Sequence, residues 1–161
     1  MLRLTKIALI LAVSAWGMVS AGLNLLTWEG TLSAVASATS MTTIESGADS
    51  WQATSNVIVV WLGALFIVSA KIATAGFCLT GGYRMWQARA ADGASFNTAK
   101  QAALVGCGIA VFMLFSGFVV TAETFFEAWR SEVLRTIALE SAFRYGGMIA
   151  LIAIFVAQTE H

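Results

Sequence analysis

The sequence predicts an all-α membrane protein, a bundle of four transmembrane helices with both termini in the cytoplasm. Hydrophobic residues make up 58% of the 161-residue chain and charged residues only 11%, whereas soluble domains contain roughly 25% charged residues. The apolar residues are gathered into four long runs, and the chain contains no proline. Continuous runs of this kind exclude a β-barrel, whose strands alternate polar and apolar residues over about ten positions.

Each run is long enough to cross the apolar core of a bilayer, which takes about 20 helical residues. A helix also bonds every backbone polar group of the crossing segment internally, as the bilayer requires. We place the helices at residues 7–26, 56–80, 101–121 and 140–157, within one transmembrane domain over residues 1–161.

The first helix follows Arg3 and Lys6, and its apolar run extends to Leu26. A basic start, an apolar run and the small residues at 19–21 also fit a cleavable signal peptide. Because the run continues past these small residues, we interpret it as an uncleaved membrane anchor. Trp16 lies inside the run, away from the interfaces that tryptophan prefers, and is predicted to pack against another helix or a partner protein.

The loop at residues 27–55 is rich in Ser, Thr, Ala and Gly and contains no lysine or arginine. Basic residues instead precede the first helix and occupy the loop between the second and third helices, as Arg84, Arg89 and Lys100. Lysine and arginine in short loops remain on the cytoplasmic side of the membrane. We therefore expect cytoplasmic N and C termini and an extracytoplasmic loop at 27–55, either flexible or containing a short surface helix.

The second helix is predicted to end before Gly81 and Gly82, and it carries Lys71 within its apolar run. Lys71 lies about nine residues, or roughly 13 Å, from the predicted cytoplasmic boundary, beyond easy reach for a snorkelling side chain. The predicted topology places no carboxylate at this depth. Lys71 either reaches the inner interface or backbone carbonyls, or it contacts a partner subunit, a lipid headgroup or a transported solute.

Small residues spaced four apart allow two membrane helices to approach closely. The third and fourth helices each have such a face, and we expect the two faces to meet each other or to recruit a neighbouring subunit. The residues concerned are Ala102, Gly106, Ala110, Ala142, Gly146 and Ala150.

The fourth helix has an uncharged part, residues 145–157, that covers only about 20 Å. The helix must therefore continue back through Arg144 and Glu140, which lie four residues apart on one helical face, a spacing at which an ion pair is geometrically reasonable. Polar residues near the same helix ends are predicted to converge, either as a structural ion-pair network or as a headgroup or ligand site. The set is Asn24, Glu123, Glu127, Glu140 and Arg144.

Residue types needed for common kinds of catalysis are missing from the sequence. His161 is the only histidine and Cys78 and Cys107 the only cysteines, which excludes a histidine-based metal or haem site within the bundle and an iron–sulfur cluster. There is no phosphate-binding glycine motif and no serine with a base at a matching depth. We therefore expect no enzyme activity, no cofactor, no metal and no nucleic-acid partner.

Three stretches carry a family resemblance: Phe-Asn-Thr-Ala-Lys at 96–100, Phe126 with Trp129 and Ser131, and Ala-Phe-Arg at 142–144. Together they resemble a bacterial family of predicted small integral membrane proteins, domain of unknown function 2165. The resemblance implies four spans in the inner membrane and no known activity. Many members have a glutamate where Lys71 stands, so the resemblance also implies a specialised branch.

The function expected is that of a non-catalytic accessory or assembly subunit of a larger inner-membrane complex, or of a homo-oligomer. Its contacts would be membrane lipids, other integral membrane subunits or further copies of itself. Two alternatives are an oligomeric transporter or channel for a polar or anionic solute, and a lipid- or quinone-binding protein. The candidate contact residues are Lys71, Trp16, Asn24, Glu123, Glu140, Arg144, Phe126 and Trp129.

Overall fold

The structure, a computed structural model, describes residues 1–160, so that His161 lies outside the described residues. It is 83% helical, and no strand occurs in the described range. Four helices are long and apolar enough to cross a membrane, which confirms the predicted all-α, four-span class. These candidate membrane helices are Leu2–Leu26, Val57–Gln87, Gly93–Phe125 and Glu140–Ala157.

Residues 1–160 form seven α-helices, α1 to α7 in chain order. They are α1 (Leu2–Leu26), α2 (Trp28–Ser40), α3 (Val57–Gln87), α4 (Gly93–Ala99), α5 (Gln101–Phe112), α6 (Glu132–Leu134) and α7 (Glu140–Ala157). The third candidate membrane helix therefore consists of α4, α5 and a following segment, Met113–Phe125, with the wider turns of a π-helix. Further irregular turns are two 3₁₀ segments, Gly47–Asp49 and Ala128–Arg130, and a short π segment, Arg135–Leu139.

Helix α3 differs from the prediction because it continues through Gly81 and Gly82 to Gln87. A Cβ atom placed on Gly81 would overlap the backbone of Ala103 in α5. Glycine at this position thus allows two helices to pass closely and does not end the helix. The predicted loop at 27–55 likewise contains α2, which takes up 13 of its residues.

The π segment is marked by backbone hydrogen bonds that reach back five residues, as from the amide of Phe126 to the carbonyl of Thr121 (3.0 Å). Two side-chain hydroxyls in it bond over the same number of residues. The hydroxyl of Thr121 donates to the carbonyl of Ser116 (2.8 Å), and that of Thr124 donates to the carbonyl of Val119 (2.9 Å). Because the turns are wider there, residues three apart no longer share a face as they do in an α-helix. The small-residue face predicted for the third helix lies before this segment, in α5.

The chain divides into two compact units, and every candidate membrane helix contributes to both. Unit 1 comprises residues 1–21, 70–111 and 147–161, and unit 2 comprises residues 22–69 and 112–146. Each unit is therefore assembled from separate stretches of the sequence.

In unit 1, α1 and α3 are packed through small residues. Ser14 is buried and donates to the carbonyl of Ala75 (2.8 Å). A Cβ atom on Gly17 would lie 2.9 Å from the carbonyl oxygen of Lys71. Such backbone proximity is the usual way in which membrane helices associate.

Unit 2 has a small core formed by segments that connect the membrane helices. Met41, Ile44 and Phe126 are buried there against one another. Aromatic rings extend this core, since Phe126 packs edge-on against Phe125 (4.9 Å between centroids) and Phe125 against Trp51 (5.8 Å). The connecting segments are therefore folded onto each other.

Candidate functional site: a polar cluster that joins the chain ends

Polar and charged residues from three parts of the chain meet in unit 1. They come from the start of α1, from the junction of α4 and α5, and from the residues after α7. We call this set the terminal cluster, and it consists of Arg3, Lys6, Asn97, Lys100, Gln158 and Glu160.

Lys6 is fully buried, although it was predicted to lie outside the first helix. Helix α1 begins at Leu2 and carries Lys6 inward. Its ammonium group donates to a carboxylate oxygen of Glu160 (2.6 Å) and to the backbone carbonyl of Gln158 (2.9 Å). A buried charge is tolerated only when it is paired and hydrogen-bonded, and Lys6 meets both conditions.

Lys100 is also buried, at 2% exposure, and its ammonium group binds the same carbonyl of Gln158 (2.8 Å). It donates in addition to the side-chain oxygen of Asn97 (2.7 Å). The last carbonyls of a helix lack partners within the helix, and the helix dipole favours cations at that end. Two lysines thus stabilise the C-terminal end of α7.

The side chain of Asn97 binds the backbone of Glu160. The side-chain oxygen of Asn97 accepts from the Glu160 amide (3.0 Å), and its Nδ2 donates to the Glu160 carbonyl (3.1 Å). Asn97 is held in place by α4, whose first turn is capped by Asp92 accepting from the amide of Ser95 (2.8 Å). The neighbouring Phe96 is fully buried and anchors the same helix.

Arg3 connects the N-terminal end to the α3–α4 loop. Its guanidinium donates to the carbonyls of Ala91 (2.6 Å) and Arg89 (3.2 Å) and lies 3.6 Å from the Glu160 carboxylate. The same group is 4.8 Å from the centre of the Phe96 ring, a distance at which cations and aromatic rings attract. The N- and C-terminal residues therefore lie at the same end of unit 1.

Charge in the terminal cluster is uneven, with three cations and one carboxylate. The hydrogen bond from Lys6 lowers the pKa of Glu160, and the charges of Lys6, Lys100 and Arg3 lower it further. The side chain of Glu160 is only 14% exposed. Because donors and acceptors of the cluster satisfy one another, the arrangement is suited to holding the C-terminal residues in place.

Sequence reasoning assigned no long-range contact to Arg3, Lys6 or Lys100, and it did not consider Glu160. One available signal was the stretch at 96–100. There Asn97 and Lys100 are three residues apart on one helical face, next to an apolar run. Polar groups so placed need partners, which the residues after α7 supply.

The predicted residues of unit 1 are not members of the terminal cluster. Lys71 and Trp16 are both half-buried, on α3 and α1 respectively. The small face of α5 also lies in this unit: Gly106 and Ala110 are buried and Ala102 is half-buried.

The small faces of the third and fourth helices are directed at different neighbours. A Cβ atom on Gly106 would approach the sulfur and the amide of Cys78 in α3. A Cβ atom on Gly146 would lie 3.6 Å from Leu114, in the π segment. Ala142 is buried and Ala150 half-buried. Gly106 therefore faces α3, whereas Gly146 faces the π segment of the third candidate membrane helix.

The polar residues predicted to converge belong to unit 2, where the contacts found are mostly local. Asn24 donates to Thr31 (3.1 Å), and Glu127 pairs with Arg130 (2.6 Å). Glu123 is half-buried and Glu140 exposed.

Arg144 bonds to the hydroxyl of Ser141 (3.2 Å) and, within residues 1–160, does not form the ion pair with Glu140 that the spacing allows. Both side chains are exposed, and an exposed ion pair gains little over hydration. Of the two aromatic candidates, Phe126 is buried, whereas Trp129 is 55% exposed.

Comparison with known proteins agrees with this architecture. The family model described as a predicted small integral membrane protein matches residues 2–159, nearly the whole chain. No curated protein matches the chain, and no solved structure does. The resemblance inferred from residues 96–100, 126–131 and 142–144 is thereby confirmed. The chain belongs to the family of predicted small integral membrane proteins named domain of unknown function 2165.

Proposed function

We propose that this protein is a non-catalytic accessory or assembly subunit of a larger complex in the bacterial inner membrane. The observation that carries the proposal is apolar surface exposed outside the candidate membrane helices. In unit 2, Trp51 is 86% exposed and Trp129 is 55% exposed. Both lie on segments that connect those helices. Exposed tryptophans of this kind commonly anchor protein interfaces.

The segments that carry these side chains have a defined conformation. Three residues other than glycine adopt positive φ there: Met41 (54°), Ser46 (57°) and Glu127 (49°). Left-handed backbone costs roughly 1–2 kcal/mol per residue, so surrounding contacts must hold it. Met41, for example, is fully buried. Trp51 and Trp129 are thus presented on an ordered surface, which lowers the entropy lost when a partner binds.

The proposed orientation places both termini in the cytoplasm. Arg3 contacts the carbonyl groups of Arg89 and Ala91, and Lys6 and Lys100 bind the residue after α7. Basic residues at or near the ends of three candidate membrane helices are thus gathered in unit 1. This supports the orientation because basic flanks remain on the cytoplasmic side.

A photo-reactive amino acid at position 51 or 129, introduced separately in living cells, tests the accessory role. Position 43 serves as the matched control, since Thr43 is an exposed polar residue of the same connecting segment. We expect a discrete protein adduct from positions 51 and 129 and none from position 43. Trp129→Ala should also remove the captured protein from material purified in mild detergent, while the thermal midpoint stays near that of the native chain.

Two results would overturn the accessory role. One is a monomer in mild detergent with no other protein bound. The other is labelling of lipid alone from both tryptophan positions.

Orientation is tested separately with a membrane-impermeant maleimide on intact spheroplasts. Native Cys78 and Cys107 are buried and give a low background. Thr43→Cys should react before permeabilisation, whereas Ser95→Cys, in α4, should react only after it. The reverse order would contradict the proposed orientation.

A further inference from the structure

A groove of about 340 Å³ runs along α3 in unit 1. We call it the α3 groove. Its lining is formed by one face of α3 with a single residue of α5, namely Ala73, Gly76, Phe77, Thr80, Arg84 and Ala102. From Ala73 to Arg84 the face extends about 16 Å at 1.5 Å per residue. The whole groove lies within candidate membrane helices.

The middle of the groove is apolar and open. A Cβ atom on Gly76 would meet nothing within 4 Å, so no neighbouring helix fills the space above it. Phe77, which is 44% exposed, forms one side. An open apolar groove on a membrane helix fits an extended acyl chain, because such a helix is surrounded by the hydrocarbon of the bilayer.

Arg84 lies at the end of the groove, in the last turn of α3, and is exposed. Within residues 1–160 its guanidinium makes neither an ion pair nor a hydrogen bond. The nearby Arg89 differs, since it donates to the carbonyl of Trp86 (2.8 Å) and stacks on that ring at 4.3 Å. The donors of Arg84 therefore remain open for a ligand. Thr80 lines the groove one turn earlier.

We propose that the α3 groove binds an anionic phospholipid, with the phosphate on Arg84 and one acyl chain along Gly76 and Ala73. The planar guanidinium binds two phosphate oxygens at once, an interaction stronger than that between neutral groups. Basic residues beside membrane helices are a common site for anionic headgroups. The apolar groove thus matches an acyl chain, and its cationic end matches the phosphate of the same lipid molecule.

Binding is measured by native mass spectrometry of the purified full chain, titrated with phosphatidylglycerol and, in parallel, with phosphatidylcholine. We expect one phosphatidylglycerol to bind at least about tenfold more tightly than phosphatidylcholine, the order expected for a charged hydrogen bond. Arg84→Gln should abolish this preference. Arg84→Lys should retain part of the preference, because lysine keeps the positive charge but cannot bind two phosphate oxygens at once as the guanidinium does.

Two control variants, Arg89→Gln and Gly108→Leu, distinguish lipid binding in the α3 groove from general attraction of lipids to the protein surface. Arg89→Gln removes the same charge close by and should leave the preference intact. Gly76→Leu fills the groove and should weaken binding of both lipids. Gly108→Leu adds the same side chain at another position where a Cβ meets nothing within 4 Å, and should bind both lipids as the native chain does.

Three results would overturn the lipid site: equal binding of the two lipids, an equal loss in Arg84→Gln and Arg89→Gln, or native binding by Gly76→Leu. Thermal midpoints of all variants show whether each one is folded. The lipid site and the accessory role fail independently, since a monomer that retains phosphatidylglycerol overturns only the latter.

Discussion

The side chain of Asn97 bonds to both polar backbone groups of Glu160, accepting from the amide at 3.0 Å and donating to the carbonyl at 3.1 Å. The two residues are 63 positions apart. One side chain therefore fixes the residues after α7 against the start of the third candidate membrane helix. The same oxygen of Asn97 also accepts from the buried ammonium group of Lys100. Loss of the Asn97 side chain therefore removes a partner of that charge as well.

Asn97→Leu keeps the size of the side chain and removes all three hydrogen bonds. We expect the free energy of unfolding to fall by about 1–3 kcal/mol, because a buried ammonium loses one acceptor. Hydrogen exchange at the Glu160 amide should become faster. Thr98→Ala is the control, since that hydroxyl bonds only within its own helix, to Ala94. Equal effects of the two variants would show that Asn97 does not hold Glu160.

Acid should release the residues after α7. The pKa of Glu160 is lowered in the folded chain, mainly by the hydrogen bond from Lys6, whereas an unfolded glutamate has a pKa of about 4.3. A group with a lowered folded pKa stabilises the fold above the unfolded value, and this stabilisation is lost as pH falls through the folded value. Exchange protection of residues 158–160 should therefore be full near neutral pH and decline below about 4.3.

Glu160→Gln should remove most of this pH dependence and reduce protection at neutral pH. A variant that shows the same decline as the native chain would assign the acid response to another group.

Gly81→Ala should destabilise the packing of α3 and α5, because the new Cβ would overlap the backbone of Ala103. We expect a loss of about 1–3 kcal/mol, as in other overpacked cores, seen as a lower thermal midpoint in detergent. Gly76→Ala adds the same methyl group to the same helix in open space. It should be neutral or stabilising by about 0.5–1 kcal/mol, since alanine favours helix. A Gly81→Ala variant as stable as Gly76→Ala would contradict the close approach.

Thr74 is fully buried on α3, and its hydroxyl has no hydrogen-bond partner within the described chain. Thr74→Val keeps the shape and removes the unsatisfied group, so stability should rise by about 1 kcal/mol. The buried Ser14 hydroxyl, by contrast, is bonded to Ala75. Ser14→Ala should therefore lower the thermal midpoint. A decrease for Thr74→Val would mean that its hydroxyl is bonded.

The membrane helices were predictable because apolar length is a local property of the sequence. The long-range contacts were not. Gly81 is compatible with either a helix end or a close helix crossing, and Ala103, 22 positions away, decides between them. In the same way, the charge of Lys6 indicates a side of the membrane, while its burial depends on Gln158, 152 positions away.

Sequence spacing did not predict every local feature. The third helix was expected to keep one helical period, whereas its turns widen after Phe112, beyond the small-residue face assigned to α5. Glu140 and Arg144 have the spacing of an ion pair, but both are exposed and Arg144 binds Ser141. Spacing therefore predicts which residues can meet, and burial determines which contacts are worth forming.

The central claim is that Lys6 and Glu160 join the two ends of the chain by a direct bond of 2.6 Å. A double-mutant cycle with Lys6→Met, Glu160→Gln and the combined variant measures this bond in detergent. We expect each single change to lower the free energy of unfolding and the double change to cost less than their sum, by about 0.5–3 kcal/mol. Effects that add within about 0.5 kcal/mol would show that the two side chains do not interact.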